Sequence, residues 1–230
     1  MAIDATLGRL KRSLLASTGT IVFGMEDGTV SIFGLVFGVA ATTSSSIAVL
    51  VAGASGAAAA AVSMMAGAYL DAETSRDQAA ANQVNVRADQ AAVAALLANR
   101  LAQSRLTARQ CTALTAAVHA DPGALNDLMV ALQADPQEAR SPLEQALWML
   151  VADFFSAAVP MLPFFLLPVP AARTASAIVT TLLLIALGIG RARIAGRNLA
   201  KTIIETVSIG IAAALAGVAI GLLVERGFGG

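Results

Sequence analysis

The fold class is decided by one uncharged stretch, GTVSIFGLVFGVAATTSSSIAVLVAGASGAAAAAVSMMAGAYL, which runs from Gly28 to Leu70. A single transmembrane helix needs roughly 20 apolar residues, and this stretch is long enough for two. The small polar residues TTSSS at positions 42–46 interrupt it near the middle. The stretch therefore predicts two membrane crossings that are joined by a short hairpin.

The bulk composition also indicates a membrane protein. Hydrophobic residues make up 57% of the 230 residues, charged residues 13%, and the mean hydropathy is +0.74. A soluble domain typically carries roughly 25% charged residues. The formal net charge is zero, which gives no electrostatic basis for binding nucleic acid. The single cysteine excludes an internal disulfide. With a single histidine the chain cannot form a multi-histidine zinc site, and no catalytic triad is recognisable, so we expect no enzyme.

Three more apolar stretches follow a polar middle section, at residues 146–167, 174–190 and 206–224. We therefore predict an all-α fold with five transmembrane helices. The first two crossings lie within residues 19–70, and the other three lie within residues 141–230.

The basic residues predict the orientation, because cytoplasmic loops of membrane proteins are enriched in Lys and Arg. They cluster before the first span and in a predicted loop between the last two: Arg9, Lys11, Arg12, Arg191, Arg193, Arg197 and Lys201. With five crossings both clusters lie on one side. We expect an integral membrane protein with a cytoplasmic N-terminus, and the lack of a recognisable targeting segment favours a bacterial plasma membrane.

The segments outside the spans are predicted to be helical too. Residues 1–18 place apolar side chains at helical spacing beside basic ones, which is typical of an amphipathic helix in the membrane interface. Residues 71–140 predict a small cytoplasmic helical lobe. Thr107 followed by Gln110 predicts a capping box there, and Ser141 before a proline predicts the start of the third span.

Two acids, Glu26 and Asp27, are placed at the mouth of the first crossing by this reading. Carboxylates at membrane depth are costly and usually mark a path for ions. Asp27 shares a helical face with Ser31 and with several small residues. Two interpretations stay open. Asp27 either lines a cation path or lies in a packing seam where a partner neutralises it.

Glycines of the first span predict a close helix contact. Gly24 with Gly28, and Gly34 with Gly38, are small-xxx-small pairs that let another backbone approach. We predict that these four glycines form the interface of a homodimer.

Three residues of the second and third spans are further candidates. Met64 and Met65 could supply soft thioether ligands to a transition metal, although methionine in an apolar helix is usually core packing. Asp153 falls near the middle of the third span, where a structural ion pair and a transport role are equally plausible.

Three motifs together resemble the vacuolar iron transporter family. They are EDGTVSIFGLVFGVA at 26–40, AVSMMAGAY at 61–69 followed by SRD at 75–77, and VPMLPF at 159–164. Their order and spacing cover nearly the whole chain, including a helical insert between the second and third spans.

The resemblance implies a homodimer whose first spans line a path for Fe²⁺ or Mn²⁺, moved against protons. It carries Asp27 and Met64 over as metal ligands, and Asp89 as the one acid of a cytoplasmic metal site. Acids found in relatives fall at Thr20, Gly56 and Ala68 here. The stretch 91–106 contains no acid, so we expect no metal cluster in the lobe.

We therefore expect a secondary transporter that exports iron or manganese from the cytosol, with the bilayer, the metal ion and a second copy as partners and no permanent cofactor. The alternative is a non-transporting membrane scaffold of the same shape. The predicted transport pathway comprises Glu26, Asp27, Ser31, Met64, Met65 and Asp153.

Overall fold

The structure is a computed structural model that describes residues 8, 11, 13–15, 17–88, 99, 107–120 and 141–228. The helices of this part are α1 (Thr18–Thr42), α2 (Ser46–Ala88), α3 (Ala108–Ala120), α4 (Pro142–Leu166), α5 (Val169–Ala195) and α6 (Leu199–Phe228). Five of them, all except α3, are long and apolar enough to cross a membrane. The predicted all-α fold with five spans is confirmed.

The chain divides into two compact units. The first combines Met1–Tyr69 with Ser141–Gly230, and the second is Leu70–Arg140. The second unit contains α3, whose start is the predicted capping box: the Thr107 N–H donates to Gln110 Oε1 at 2.9 Å, and the Gln110 N–H donates to Thr107 Oγ1 at 3.4 Å. The cytoplasmic location of this unit stays a prediction.

Local polar groups end and begin the helices of the first unit. Ser45 Oγ accepts the Ala48 N–H at 3.3 Å and so caps the start of α2. This hairpin lies within the polar 42–46 segment, as predicted. Gly196 adopts a left-handed conformation (φ 60°) that ends α5, and Asn198 Oδ1 accepts the Lys201 N–H at the start of α6.

The loop between α5 and α6 is much shorter than the sequence suggested. Arg191 and Arg193 lie within α5 and Lys201 lies within α6, so residues 196–198 alone connect the two helices. The reason is that helical hydrogen bonding continues until the left-handed Gly196. The four basic residues therefore extend from helix ends as well as from a loop.

The start of α1 also corrects the predicted position of the two acids. Because α1 begins at Thr18, Glu26 and Asp27 lie about two turns inside the helix and not at its mouth. The charged pair does not end the helix, since its neighbours are apolar and small. A carboxylate at this depth needs a specific partner or an aqueous cavity.

Polar and apolar residues are distributed as in a membrane protein. Several polar side chains inside the first unit are fully buried, including Thr29, Asp153, Thr180 and Thr206. Large apolar side chains point outward, for example Leu166, which is 82% exposed. An outer surface of this kind would be costly in water and suits the hydrocarbon of a bilayer.

The apolar core of the first unit lies where α1, α2, α4 and the start of α5 meet. Its members are Ile32, Val36, Ala40, Val49, Ala57, Ala157, Met161, Phe164, Val169 and Ala172. Helix α4 stays continuous through Pro160 and Pro163. The carbonyl of Pro160 accepts a 2.7 Å hydrogen bond from Ser176 Oγ of α5, which fixes the two helices at the bend-prone point.

A side-chain hydrogen bond joins the N-terminal segment to α4. Trp148 Nε1 donates to Ser13 Oγ at 2.8 Å. The rest of the predicted interfacial helix, apart from Gly8, Lys11, residues 13–15 and Ser17, lies outside the described residues.

Candidate functional site

The four glycines of α1 pack inside the protomer. A Cβ atom at Gly24 would meet Met149 and Ala152 of α4, and one at Gly28 would clash with the backbone of Asp153. All four are buried within the single chain. Their assignment to a dimer interface is therefore corrected, because neighbouring helices of the same chain already occupy these surfaces.

The other two glycines form a seam with α6. A Cβ at Gly34 would lie 2.9 Å from the Ala213 carbonyl oxygen, and one at Gly38 would lie 2.7 Å from that of Gly217. In return, Cβ atoms at Gly217 and Gly221 would clash with the carbonyls of Gly34 and Gly38. Backbone touches backbone here, as the small-xxx-small spacing predicts. The partner is α6 and not a second copy.

A different stripe of α1 is more exposed than the four glycines. Gly19, Phe23, Ser31 and Leu35 are exposed, and Asp27 between them is half-buried. These residues recur at every fourth position, so they lie along one face of the helix. Asp27 and Ser31 do share a face, as predicted.

Asp27 lies on the wall of a cavity of about 430 Å³ formed by α1, α5 and α6. The lining is mostly apolar, with Phe23 and Ile209 among its residues, and its charged members are Glu26, Asp27 and Arg191. No hydrogen bond or ion pair holds Asp27 within the described part of the chain. Its carboxylate is thus available to a cation in the cavity.

Glu26, in contrast, is held by two partners. Arg191 Nη1 of α5 lies 3.0 Å from Glu26 Oε1, and Thr206 Oγ1 of α6 donates to the same oxygen at 3.1 Å. The Glu26 side chain is only 12% exposed, so the arginine offsets a charge that has little water around it. The structure gives Glu26 the role of joining three helices.

Arg191 and Thr206 were missed by the sequence reasoning. The sequence predicts a loop at Arg191, because a run of basic residues begins there. Thr206 is simply the first residue of a predicted apolar span. A signal did exist. An arginine that directly follows the apolar run of residues 174–190 lies near membrane depth and needs a carboxylate partner.

Asp153 of α4 is the most deeply buried acid in the described structure. It is 0% exposed, and neither carboxylate oxygen has a hydrogen-bond partner among the described residues. Its backbone carbonyl lies against Gly28 and accepts a 2.9 Å hydrogen bond from Ser156 Oγ. Asp27 is a near neighbour, because Gly28, the next residue, touches the Asp153 backbone. Of the two interpretations of Asp153, the structural ion pair is not formed within the part of the chain that the structure describes, and the transport role stays a prediction.

The remaining predicted ligands lie elsewhere. Met64 and Met65 are half-buried on α2 and do not line the cavity at Asp27. Asp89 lies outside the described residues. Over the residues that are described, no group of three or more His, Cys, Asp or Glu side chains is arranged to hold a metal ion.

Known proteins of similar sequence indicate the family of this chain. Residues 18–222 match the VIT family. The chain belongs to the VIT family. It is 29% identical over 216 residues to vacuolar iron transporter 1 of Arabidopsis thaliana, with 90% of this chain and 85% of that protein covered. It is 28% identical over 212 residues to vacuolar iron transporter 1 of Tulipa gesneriana, with 89% and 86% covered.

Family membership confirms the resemblance drawn from the three motifs. The structure accounts for one position at which this chain lacks an acid that the resemblance implies. At Gly56, where the resemblance implies an acid in some relatives, a Cβ atom would clash with Leu35 Cδ2. The Leu35 side chain therefore fills space that an acid at this position would need.

Proposed function

We propose that this VIT-family chain is a secondary transporter that exports a divalent transition metal, Fe²⁺ or Mn²⁺, from the cytosol in exchange for protons. Family membership and two relatives named as vacuolar iron transporters support metal-ion transport. A bacterial plasma membrane is the proposed location. On this proposal the protein is a transporter and not an enzyme.

The observation that carries the proposal is the state of Asp27. Its carboxylate lies about two turns inside a membrane-spanning helix, on the wall of a cavity, without a hydrogen-bond or ion-pair partner among the described residues. Glu26 beside it has its charge offset by Arg191. The negative charge left for a cation in the cavity therefore belongs to Asp27, which we assign as the pathway carboxylate.

A homodimer through the exposed stripe of α1 fits this assignment. The stripe contains Phe23, Asp27 and Ser31 and is free of the four buried glycines. Two copies facing each other across it would bring two Asp27 carboxylates to one path, which raises the attraction for a divalent cation. We propose that this stripe replaces the glycines as the dimer contact, and that Met64 of α2 contributes to the path.

Flux of Mn²⁺ or Fe²⁺ into proteoliposomes tests the proposal. Wild-type protein should transport the metal, and Asp27→Asn should abolish transport because the amide keeps the shape and removes the charge. Glu205→Gln is the matched control, since Glu205 makes an exposed ion pair with Arg197 at 3.0 Å and lies outside the cavity. It should transport as wild type.

Size-exclusion chromatography must show that all three proteins are equally well folded. Unchanged flux in Asp27→Asn would refute the pathway assignment. A well-folded wild type that moves neither metal would refute transport itself and favour the membrane scaffold.

A further inference from the structure

Asp153 is a buried acid that does not line the cavity at Asp27. It lies about three turns into α4, is completely buried and leaves both carboxylate oxygens without a hydrogen bond among the described residues. An ionised carboxylate in such a place is very costly unless a counter-charge reaches it. The Asp153 carboxyl group is therefore either protonated or paired with a cation that is not a described side chain.

The charged groups on neighbouring helices do not supply that counter-charge. From α1, Glu26 is bound to α5 and α6, and Asp27 adds negative charge near Asp153. From α5, Arg191 is already engaged by Glu26 at 3.0 Å. Within the described part of the chain, no Lys or Arg forms an ion pair with Asp153.

Two further oxygen atoms on α4 and α1 lack their usual hydrogen-bond donor in the described part of the chain. Pro160 has no N–H, so the carbonyl of Ser156, one turn after Asp153, lacks its usual helical donor. Thr29 of α1 is fully buried, and its hydroxyl has no hydrogen-bond partner among the described residues. Thr29 directly follows Gly28, the residue that touches the Asp153 backbone. Divalent manganese and magnesium favour oxygen ligands of these kinds.

We propose that Asp153 and Asp27 together form a two-carboxylate site for a divalent cation between α1 and α4. Asp27 receives the ion from the cavity, and Asp153 is the inner ligand that neutralises its second charge. The proposal rests on the proposed transport function and adds a ligand from a different span. It also gives a role to a carboxylate that is completely buried in the protein.

Calorimetric titration of Mn²⁺ into the full chain in detergent micelles tests the site. Asp153→Asn removes the charge and keeps the shape, and it should weaken Mn²⁺ binding by about tenfold or more, since even outer partners of metal ligands matter by 10–100-fold. Asp27→Asn should weaken binding comparably, and the double variant should be little worse than either, because both groups serve one ion. Glu205→Gln should bind as wild type.

Asp153→Ser, which is smaller and neutral, provides a second variant if the asparagine variant does not purify as a single species, and it should show the same loss. Wild-type Mn²⁺ affinity in a folded Asp153 variant would overturn the proposal. So would unchanged affinity together with an altered proton uptake, which would make Asp153 a proton site only.

Flux in proteoliposomes separates this proposal from the proposed function. If Asp27→Asn abolishes Mn²⁺ flux while Asp153→Asn keeps both flux and affinity, transport stands and the two-carboxylate site is refuted. If wild type binds Mn²⁺ through both acids but moves none, the site stands and transport is refuted.

Discussion

The contacts of α1 with α5 and α6 differ along its length. Before Val30 they include charged groups, whereas after Val30 the backbone of α1 lies directly against the backbone of α6. The first half contains Glu26, tied to α5 and α6, and Asp27 on the cavity wall. The second half contains Gly34 and Gly38, in close contact with α6. Close packing against α6 therefore fixes the second half of the helix, and the first half carries the carboxylate of Asp27, whose charge no described partner offsets.

The largest effect should come from filling the glycine seam. Gly34→Leu places a branched side chain where even a Cβ would lie 2.9 Å from the Ala213 carbonyl oxygen. Because backbone cannot move aside as a side chain can, we expect a loss of about 3 kcal/mol in unfolding free energy. Thermal unfolding in detergent measures it.

Gly190→Leu is the matched control, because a Cβ at Gly190 in α5 meets nothing within 4 Å. It should keep or slightly raise the melting temperature through better helix propensity. Equal melting temperatures for the two variants would show that the seam does not fix α1.

A smaller loss should follow from breaking the ion pair in the charged half. Arg191→Gln leaves the Glu26 carboxylate, 12% exposed, without its counter-ion. Since Arg191 is itself 37% exposed, the cost should be about 1–2 kcal/mol, below that of a fully buried pair. The double variant with Glu26→Gln should recover much of it. A double-mutant cycle by thermal unfolding measures the coupling, and additive losses would mean that the pair contributes nothing.

A loss of about 1 kcal/mol should follow from Thr206→Val, which removes the 3.1 Å hydrogen bond to Glu26 with little change in shape. Thr180→Val is the control, since Thr180 is equally buried and its hydroxyl has no partner among the described residues. That variant should be neutral or stabilising. A similar loss for both would attribute the effect to the added methyl group.

The smallest effect should come from the exposed pair near the α5–α6 turn. Glu205→Gln removes ion pairs to Arg197 at 3.0 Å and to Lys201 at 4.0 Å, all partly in solvent. Such pairs contribute about 0.5 kcal/mol or less. Melting temperatures at low and high salt check this, and a loss as large as that of Arg191→Gln would show that depth does not separate the two ion pairs.

The architecture could be predicted from the sequence because it depends on local sequence patterns. Apolar length predicted the spans, the TTSSS break predicted the first hairpin, and Thr107 with Gln110 predicted a cap that the structure shows. Lys201 and Glu205, four residues apart, form a similarly local pair, with Arg197 closer to the acid. Each of these features depends on residues a few positions apart.

The partners of α1 could not be predicted in this way. Helical spacing shows that Gly34 and Gly38 form a small face, but it does not say which backbone approaches it. Matching glycines at Gly217 and Gly221 in the last span were the available hint. The Glu26–Arg191 pair joins residues of different spans. The position of Arg191 after an apolar run indicates that it needs a carboxylate, but not which carboxylate. The burial of Asp153 likewise depends on three-dimensional packing that counting along a helix does not give.

Because Trp148 is hydrogen-bonded to Ser13, its fluorescence can report on the structure around it. The chain has one tryptophan, so all of its tryptophan fluorescence arises from this indole. Met149, the next residue, packs against Gly24 of α1, and the indole N–H holds the segment before α1. Emission wavelength and quenching therefore report on the contact of α1 with α4 without any attached dye. The same light signal can follow that contact while metal is added to the unmodified protein.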